Sequence, residues 1–163
     1  MFSVSYNLYL ELERCQTRGH HILQRKIQLA TIDNHPFDLR VMVQREINSS
    51  LWQVTGKIAG VAAKEFCITN AIKEVLSVEK AIEASILAKV LQQDIAVKID
   101  RLALLTAVYL EEYYRKFYSM AIDRGIDNGG EVWIIEVNLD PNISLLSRLE
   151  DGSMYERMKD KKI

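Results

Sequence analysis

Asp123, Glu136 and Asn138 stand inside an otherwise apolar stretch, AIDRGIDNGGEVWIIEVNLDP, running from Ala121 to Pro141. A strand meant only to fill a core would carry Val or Ile at those positions, because a buried carboxylate without a partner costs several kcal/mol or becomes neutral. The stretch therefore predicts either a solvated strand face or a positive group seated on it. Asp127-Asn128-Gly129-Gly130 is a strong turn signal, with Asn-Gly at the two central positions suiting a type I′ hairpin. Counting outward from an Asp127–Gly130 pair sets Asp123 opposite Ile134. Ile134, Glu136 and Asn138 then follow at steps of two on the same face as Asp123. In this register Asp123 is the diagonal neighbour of Glu136, and three oxygen-bearing side chains address one point. Hard oxygen donors, two of them anionic, suit Mg²⁺ or Mn²⁺, which completes its shell with water and nucleotide phosphates. The competing reading is a solvated face on which the acids pair with Arg40 or Lys57 and bind nothing.

The elements that must position these residues follow from periodicity. FDLRVMVQR alternates, with Leu39, Val41 and Val43 on one face and Asp38, Arg40, Met42 and Gln44 on the other. Asn-Ser-Ser then separates it from LWQVTGKIAGVAA, predicting a hairpin in which Trp52, Val54, Gly56, Ile58 and Gly60 share a face. Val61 to Arg124 contains neither Gly nor Pro, so two long helices are expected there, with a break near Gln93-Asp94. Their apolar stripes are Ile82, Ile86, Leu87, Val90 and Leu91, then Ile95, Ile99, Leu102, Leu110 and Tyr113. A short amphipathic helix is expected around Asn7 to Arg14, a β-rich run at ILQRKIQLATI, and a turn at Asn34-His35-Pro36. The fold class is α+β: a mainly antiparallel sheet with two long helices on one face. The whole chain, 1–163, reads as one domain, with its core at about 20–142 and a tail from 143 to 163.

Of 163 residues, 48% are hydrophobic and 26% charged, which fits a globular domain with one sizeable core. The net charge of -1 supplies no basic field for nucleic acid. Tyr109, Tyr113, Tyr114 and Tyr118 lack the basic surround of a stacking platform and are expected to pack over a core edge. Cys15 and Cys67 have no metal-site spacing and read as reduced thiols. His20 and His21, adjacent on a strand, would point to opposite faces. No stretch approaches the ~20 apolar residues of a membrane span, so a cytoplasmic location is expected. Nucleophile-elbow, P-loop and zincin motifs are absent.

The stretch Ala121–Pro141 resembles the metal-binding segment of the ATP-grasp superfamily, in which an acid before a hairpin is followed by Glu-x-Asn on the return strand. HPFDLRVMVQ, WQVTGKIAGVA and ITN further resemble the YheC/YheD subgroup, endospore coat-associated proteins, over roughly His21 to Pro141. The resemblance implies the C-terminal half of an ATP-grasp domain of the carboxylate-amine ligase type. Asp123, Glu136 and Asn138 would then hold Mg²⁺ on ATP, and Arg40 would be catalytic, facing the transferring phosphate. HILQRKI is similar to the hinge strand beside the adenine, implying nucleotide contacts at Gln24 and the backbone through Ile27. Asn70 matches a nucleotide-site asparagine, and Lys57 with Lys64 would compensate for an arginine replaced by Gly60.

Other departures imply a truncated or degenerate domain. On this resemblance, the upstream subdomain with its glycine-rich loop is expected to be missing from these 163 residues. Glu74-Val75 replaces a Gly-Gly pair, adding repulsive charge, and Pro141 precedes Asn142 where Pro-Gly is expected. The alternative is a non-catalytic, spore-associated module whose partners are coat proteins.

Overall fold

The computed structural model describes residues 24–63, 72–87, 89–114 and 116–149. The helix expected near Asn7, His20, His21, both cysteines, Lys64 and Asn70 lie outside the described residues. The elements are β1 (Thr31–Ile32), β2 (His35–Gln44), β3 (Gln53–Ala62), β4 (Ile72–Leu76), α1 (Val78–Ala84), α2 (Lys89–Glu111), β5 (Ser119–Ile126), β6 (Val132–Asn138) and a 3₁₀ turn, Ser144–Arg148. The sheet runs β4-β3-β2-β5-β6, antiparallel throughout, with β1 paired to β2. No helix of the described residues is long and apolar enough to cross a membrane.

Alternation in β2 decides the layers. Leu39, Val41 and Val43 are fully buried with Ile122, Ile126 and both helices, forming the main core. The ladder fixes which neighbours join them, because directly opposed residues share a face. Val43 pairs with Val54 but Met42 pairs with Gly56, so Thr55 is an extra residue, a β-bulge. Trp52 and Val54 therefore face the helices while Ile58 turns to the other face, correcting the expectation that all three align.

The turn expected at Asn34-His35-Pro36 sits one residue earlier: Asp33 and Asn34 both have positive φ (49° and 66°), the signature of a type I′ hairpin between β1 and β2, while His35 and Pro36 already belong to β2 and pair with β1. IKEVL forms β4, an edge strand within the region read as helix. α1 begins where the Ser77 hydroxyl accepts the Lys80 N–H (3.2 Å). It ends after one segment because the Ser85 hydroxyl donates to the Ile82 carbonyl (2.7 Å) and accepts the Leu87 N–H (3.3 Å), competing with the helix for both groups. The break thus sits at Ser85, and α2 runs unbroken through Gln93-Asp94 for 23 residues. Ile86 is exposed rather than packed.

α2 buries Ile95, Ile99, Ala103 and Ala107, a stripe at steps of four whose alanines bring its axis close to the sheet. Tyr109, Tyr113 and Tyr114 are exposed instead of covering the core edge. Beneath the opposite sheet face lies a smaller cluster, Met42, Ile58, Ala121 and Leu146. Leu146 belongs to the 3₁₀ turn, so packing continues past Asn142 into the region read as a tail.

Candidate functional site

Strand pairing arrays the polar side chains in rows across the face opposite the helices. One row runs Ile58, Arg40, Asp123, Glu136; the rows beside it are Gly60, Asp38, Gly125 and Gly56, Met42, Ala121, Asn138. The Arg40 guanidinium grips Asp123 bidentately, Nε to Oδ1 at 2.7 Å and Nη2 to Oδ2 at 2.8 Å. The pair is mostly covered, with side-chain exposures of 24% and 15%. These hydrogen bonds raise the Arg40 pKa above the ordinary arginine value; burial opposes the shift, and the charges of Asp123, Asp38 and Glu136 reinforce it. The Asn138 amide nitrogen donates weakly to Asp123 Oδ2 at 3.5 Å.

Asp123 and Glu136 are direct cross-strand partners, not diagonal ones, because the hairpin is longer than the Asn-Gly count predicts. Gly130 takes positive φ (82°), and the Asp127 N–H bonds to the Glu131 carbonyl (3.0 Å), which is a type I turn closed by a glycine bulge. Asp127 builds the tip: its carboxylate accepts the Gly129 N–H (2.9 Å), the Glu131 N–H (3.0 Å) and the Trp133 indole N–H (2.8 Å). Burial alone would push its pKa up, but these bonds outweigh it and hold the carboxyl below the usual range. A second extra residue, Ile135, separates the Arg124–Ile134 pair from the Asp123–Glu136 pair. Ile134 consequently lies on the helix side, away from Glu136.

The site face opens into a cavity of about 390 Å³ lined by Asp38, Arg40, Asp123 and Glu136 together with Ile58, Gly60, Ile72, Ile135, Leu145 and Arg148. A family model described as YheC/D like ATP-grasp matches residues 4–163. The chain belongs to this ATP-grasp family. Comparison with curated proteins and with solved structures gave no match. Membership makes the chain a domain of the ATP-binding, ligase-like class, and the resemblance read from the sequence extends to nearly its full length.

Within this ATP-grasp domain the expected site residues separate into two groups. Arg40, Asp123, Glu136 and Asn138 come together on one face. Lys57 does not: it pairs with Val41 on the helix side, and its ammonium contacts Asp100 of α2 at 3.0 Å, so it cannot stand in for a cation at Gly60. Gln24 and Ile27 lie in an irregular segment rather than a hinge strand, and neither lines the cavity. Glu74 pairs with Val61, a core residue, and is exposed on the helix side of the sheet edge. Its charge therefore does not face the cavity, contrary to the repulsion expected from the sequence. Two charged lining residues escaped the sequence reading. Asp38 was visible in the β2 alternation but had no assigned role; Arg148 lay in the presumed tail, where nothing in its neighbourhood signalled a fixed turn.

The donor set fits a hard divalent cation. Among the described residues no three His, Cys, Asp or Glu side chains gather as a metal cluster, so a third protein donor would be the Asn138 amide, whose nitrogen now faces Asp123 and whose oxygen would have to turn inward. Two carboxylates and one amide oxygen would suit Mg²⁺, which takes its remaining ligands from water and phosphate, better than a cation held by a protein-only cage.

Proposed function

We propose that this face binds a magnesium nucleotide, and that the domain acts in phosphoryl transfer to a carboxylate substrate preceding amide-type ligation. The observation that supports it is the row Arg40–Asp123–Glu136 with Asn138 alongside, arranged on an open, polar sheet face above a cavity large enough for phosphates. Asp123, Glu136 and Asn138 would hold Mg²⁺, which when bound neutralises phosphate charge and orients the transferring group. Arg40 has a different task. Its Nε and Nη2 hold the Asp123 carboxylate in place, while its charge offsets those of Asp38 and Glu136 and makes the cavity tolerable for a polyanion. Ile58, Ile72, Ile135 and Leu145 narrow the cavity and exclude water from its apolar walls.

The test is thermal unfolding and calorimetric titration of the purified chain with Mg²⁺ plus ATP. A ligand at one hundred times its Kd stabilises by about 2.7 kcal/mol, which for a chain of this size is a midpoint rise of about 5–10 °C. Glu136→Gln should abolish the rise, and ATP with EDTA should not produce it. No rise at millimolar Mg-ATP would defeat the proposal.

One observation favours a second reading, a coat-associated binding module without turnover. Both Asp123 oxygens already have a protein partner in Arg40, so the face is stable without a cation. In that case Mg-ATP leaves the midpoint unmoved in the wild type and in Glu136→Gln alike.

A further inference from the structure

Gly60 supplies no side chain to the cavity, and a Cβ there would sit close against Asp38 Oδ1 at 3.2 Å and Ile72 Cδ1 at 3.4 Å, so β3 contributes no cationic group at this point. Arg40 is committed to Asp123. Among the described residues, the remaining cationic side chain lining the cavity is Arg148. It arrives from the other side, on the 3₁₀ turn Ser144–Arg148, whose placement is fixed. Leu146 is fully buried against Met42, Ile58 and Ala121, and the Asn142 carboxamide oxygen accepts the Ser144 N–H at 2.8 Å, starting the turn. With three residues per turn, side chains at i and i+3 eclipse, which puts Leu145 and Arg148 on the same side, and both line the cavity. Among the described residues Arg148 forms no ion pair.

We propose that Arg148 is the phosphate-binding arginine of this site, gripping the terminal phosphate of the bound nucleotide from the 3₁₀ turn and replacing a cation that β3 does not provide. The assignment rests on the magnesium-nucleotide reading above and adds to it a specific residue and specific ligand atoms. Charge in the cavity supports it. A triphosphate carries more negative charge than Mg²⁺ neutralises, Arg40 is already engaged by Asp123, and a guanidinium fork matches phosphate oxygens in geometry. The anchored Leu146 limits the entropy lost when Arg148 engages.

The experiment measures affinity for Mg-ATP, Mg-ADP and Mg-AMP in the full chain and in Arg148→Ala, Arg148→Lys and Lys98→Ala, the last altering an exposed lysine paired with Glu131 away from the cavity. Arg148→Ala should weaken Mg-ATP about tenfold or more, and Mg-AMP less than about threefold, since a charge-assisted hydrogen bond is lost only where the outer phosphates are present. Arg148→Lys should recover part of the loss, and Lys98→Ala should match the wild type. Arg148 is exposed, so its variants should unfold at the wild-type midpoint without ligand. Equal weakening of all three nucleotides, or none, with wild-type binding intact overturns this assignment alone. Failure of the wild type to bind any of them overturns the magnesium-nucleotide reading and takes the assignment with it.

Discussion

Removing either partner of the Arg40–Asp123 pair should destabilise the fold unequally, and the inequality reports the charge balance of the site. A fully buried pair costs about 3–5 kcal/mol to break by deleting one partner, whereas an exposed pair contributes under about 1 kcal/mol. At exposures of 24% and 15%, with two short charge-assisted bonds, Asp123→Asn should cost about 2 kcal/mol. Arg40→Met should cost more, about 3 kcal/mol, because it leaves Asp123 facing Glu136 on the same rung with Asp38 one rung away and without the guanidinium that grips Asp123. The double variant should recover about 2 kcal/mol relative to the sum of the singles. Urea unfolding of the four proteins measures this coupling, and thermal midpoints should follow at about 2–4 °C per kcal/mol. Because the pair is mostly covered, raising NaCl from 0.05 to 0.5 M should change the coupling by less than about 0.5 kcal/mol. Millimolar Mg²⁺ should restore part of the loss in Arg40→Met but none in Arg40→Met/Asp123→Asn. A coupling below about 0.5 kcal/mol, or one erased by salt, would refute the claim that this pair holds the site together.

Arg124 is wholly buried between β5 and α2, donates to the Ile99 carbonyl, and among the described residues leaves Nε and Nη2 without hydrogen-bond partners, while burial lowers its pKa to about 10 despite the neighbouring Asp100. Arg124→Met should therefore leave urea stability unchanged or raise it by about 1 kcal/mol, and a loss above about 2 kcal/mol would contradict this. Leu146→Ala should cost about 2–4 kcal/mol and weaken nucleotide binding with it, seen as a lowered midpoint together with a raised Kd. Glu111 is held below the ordinary carboxyl range by the Trp52 indole N–H and by Arg45 against the opposing effect of burial, and Asp127 is held low at the hairpin tip. Both titrate lower folded than unfolded, so their contribution is complete above about pH 5 and disappears as pH falls through the folded values. Asp127→Ala should flatten the decline in urea stability below about pH 4, and an unchanged pH profile would exclude that role.

Legibility in the sequence tracked whether a contact was local. The β2 alternation named both layers correctly because period two is a property of a strand alone. Ser85 was not legible as a helix end, since serine is tolerated within helices and only its two hydrogen bonds show that it competes with one. β4 was hidden for a related reason: IKEVL satisfies helical and strand patterns equally, and its pairing with β3, far from any turn signal, decides between them. Lys57 and Glu74 were misplaced because a residue's face in a sheet depends on its partner strand.

The acid pair survived its own miscounting, and the reason is parity. The tip holds one more residue than the Asn-Gly register allows, and β6 holds another at Ile135, so Asp123 meets Glu136 rather than Ile134. Two shifts of one residue restore the face that either alone would reverse. Had β6 paired without interruption after the tip, Glu136 would stand opposite Ile122 and aim a carboxylate at the main core, a placement that costs several kcal/mol. β3 contains a single such insertion before the site, Thr55, and there the expected face was lost: Ile58 joined Arg40 instead of Val54. Bulges in β3 and β6 therefore set the width of the polar row from its two ends. One supplies the apolar floor beside Arg40, and the other turns Glu136 toward Asp123. A polar row built this way depends on residues that add no polar group to it, so one-residue deletions or insertions at Thr55 or Ile135 are expected to disturb the site more than conservative substitutions at the same positions.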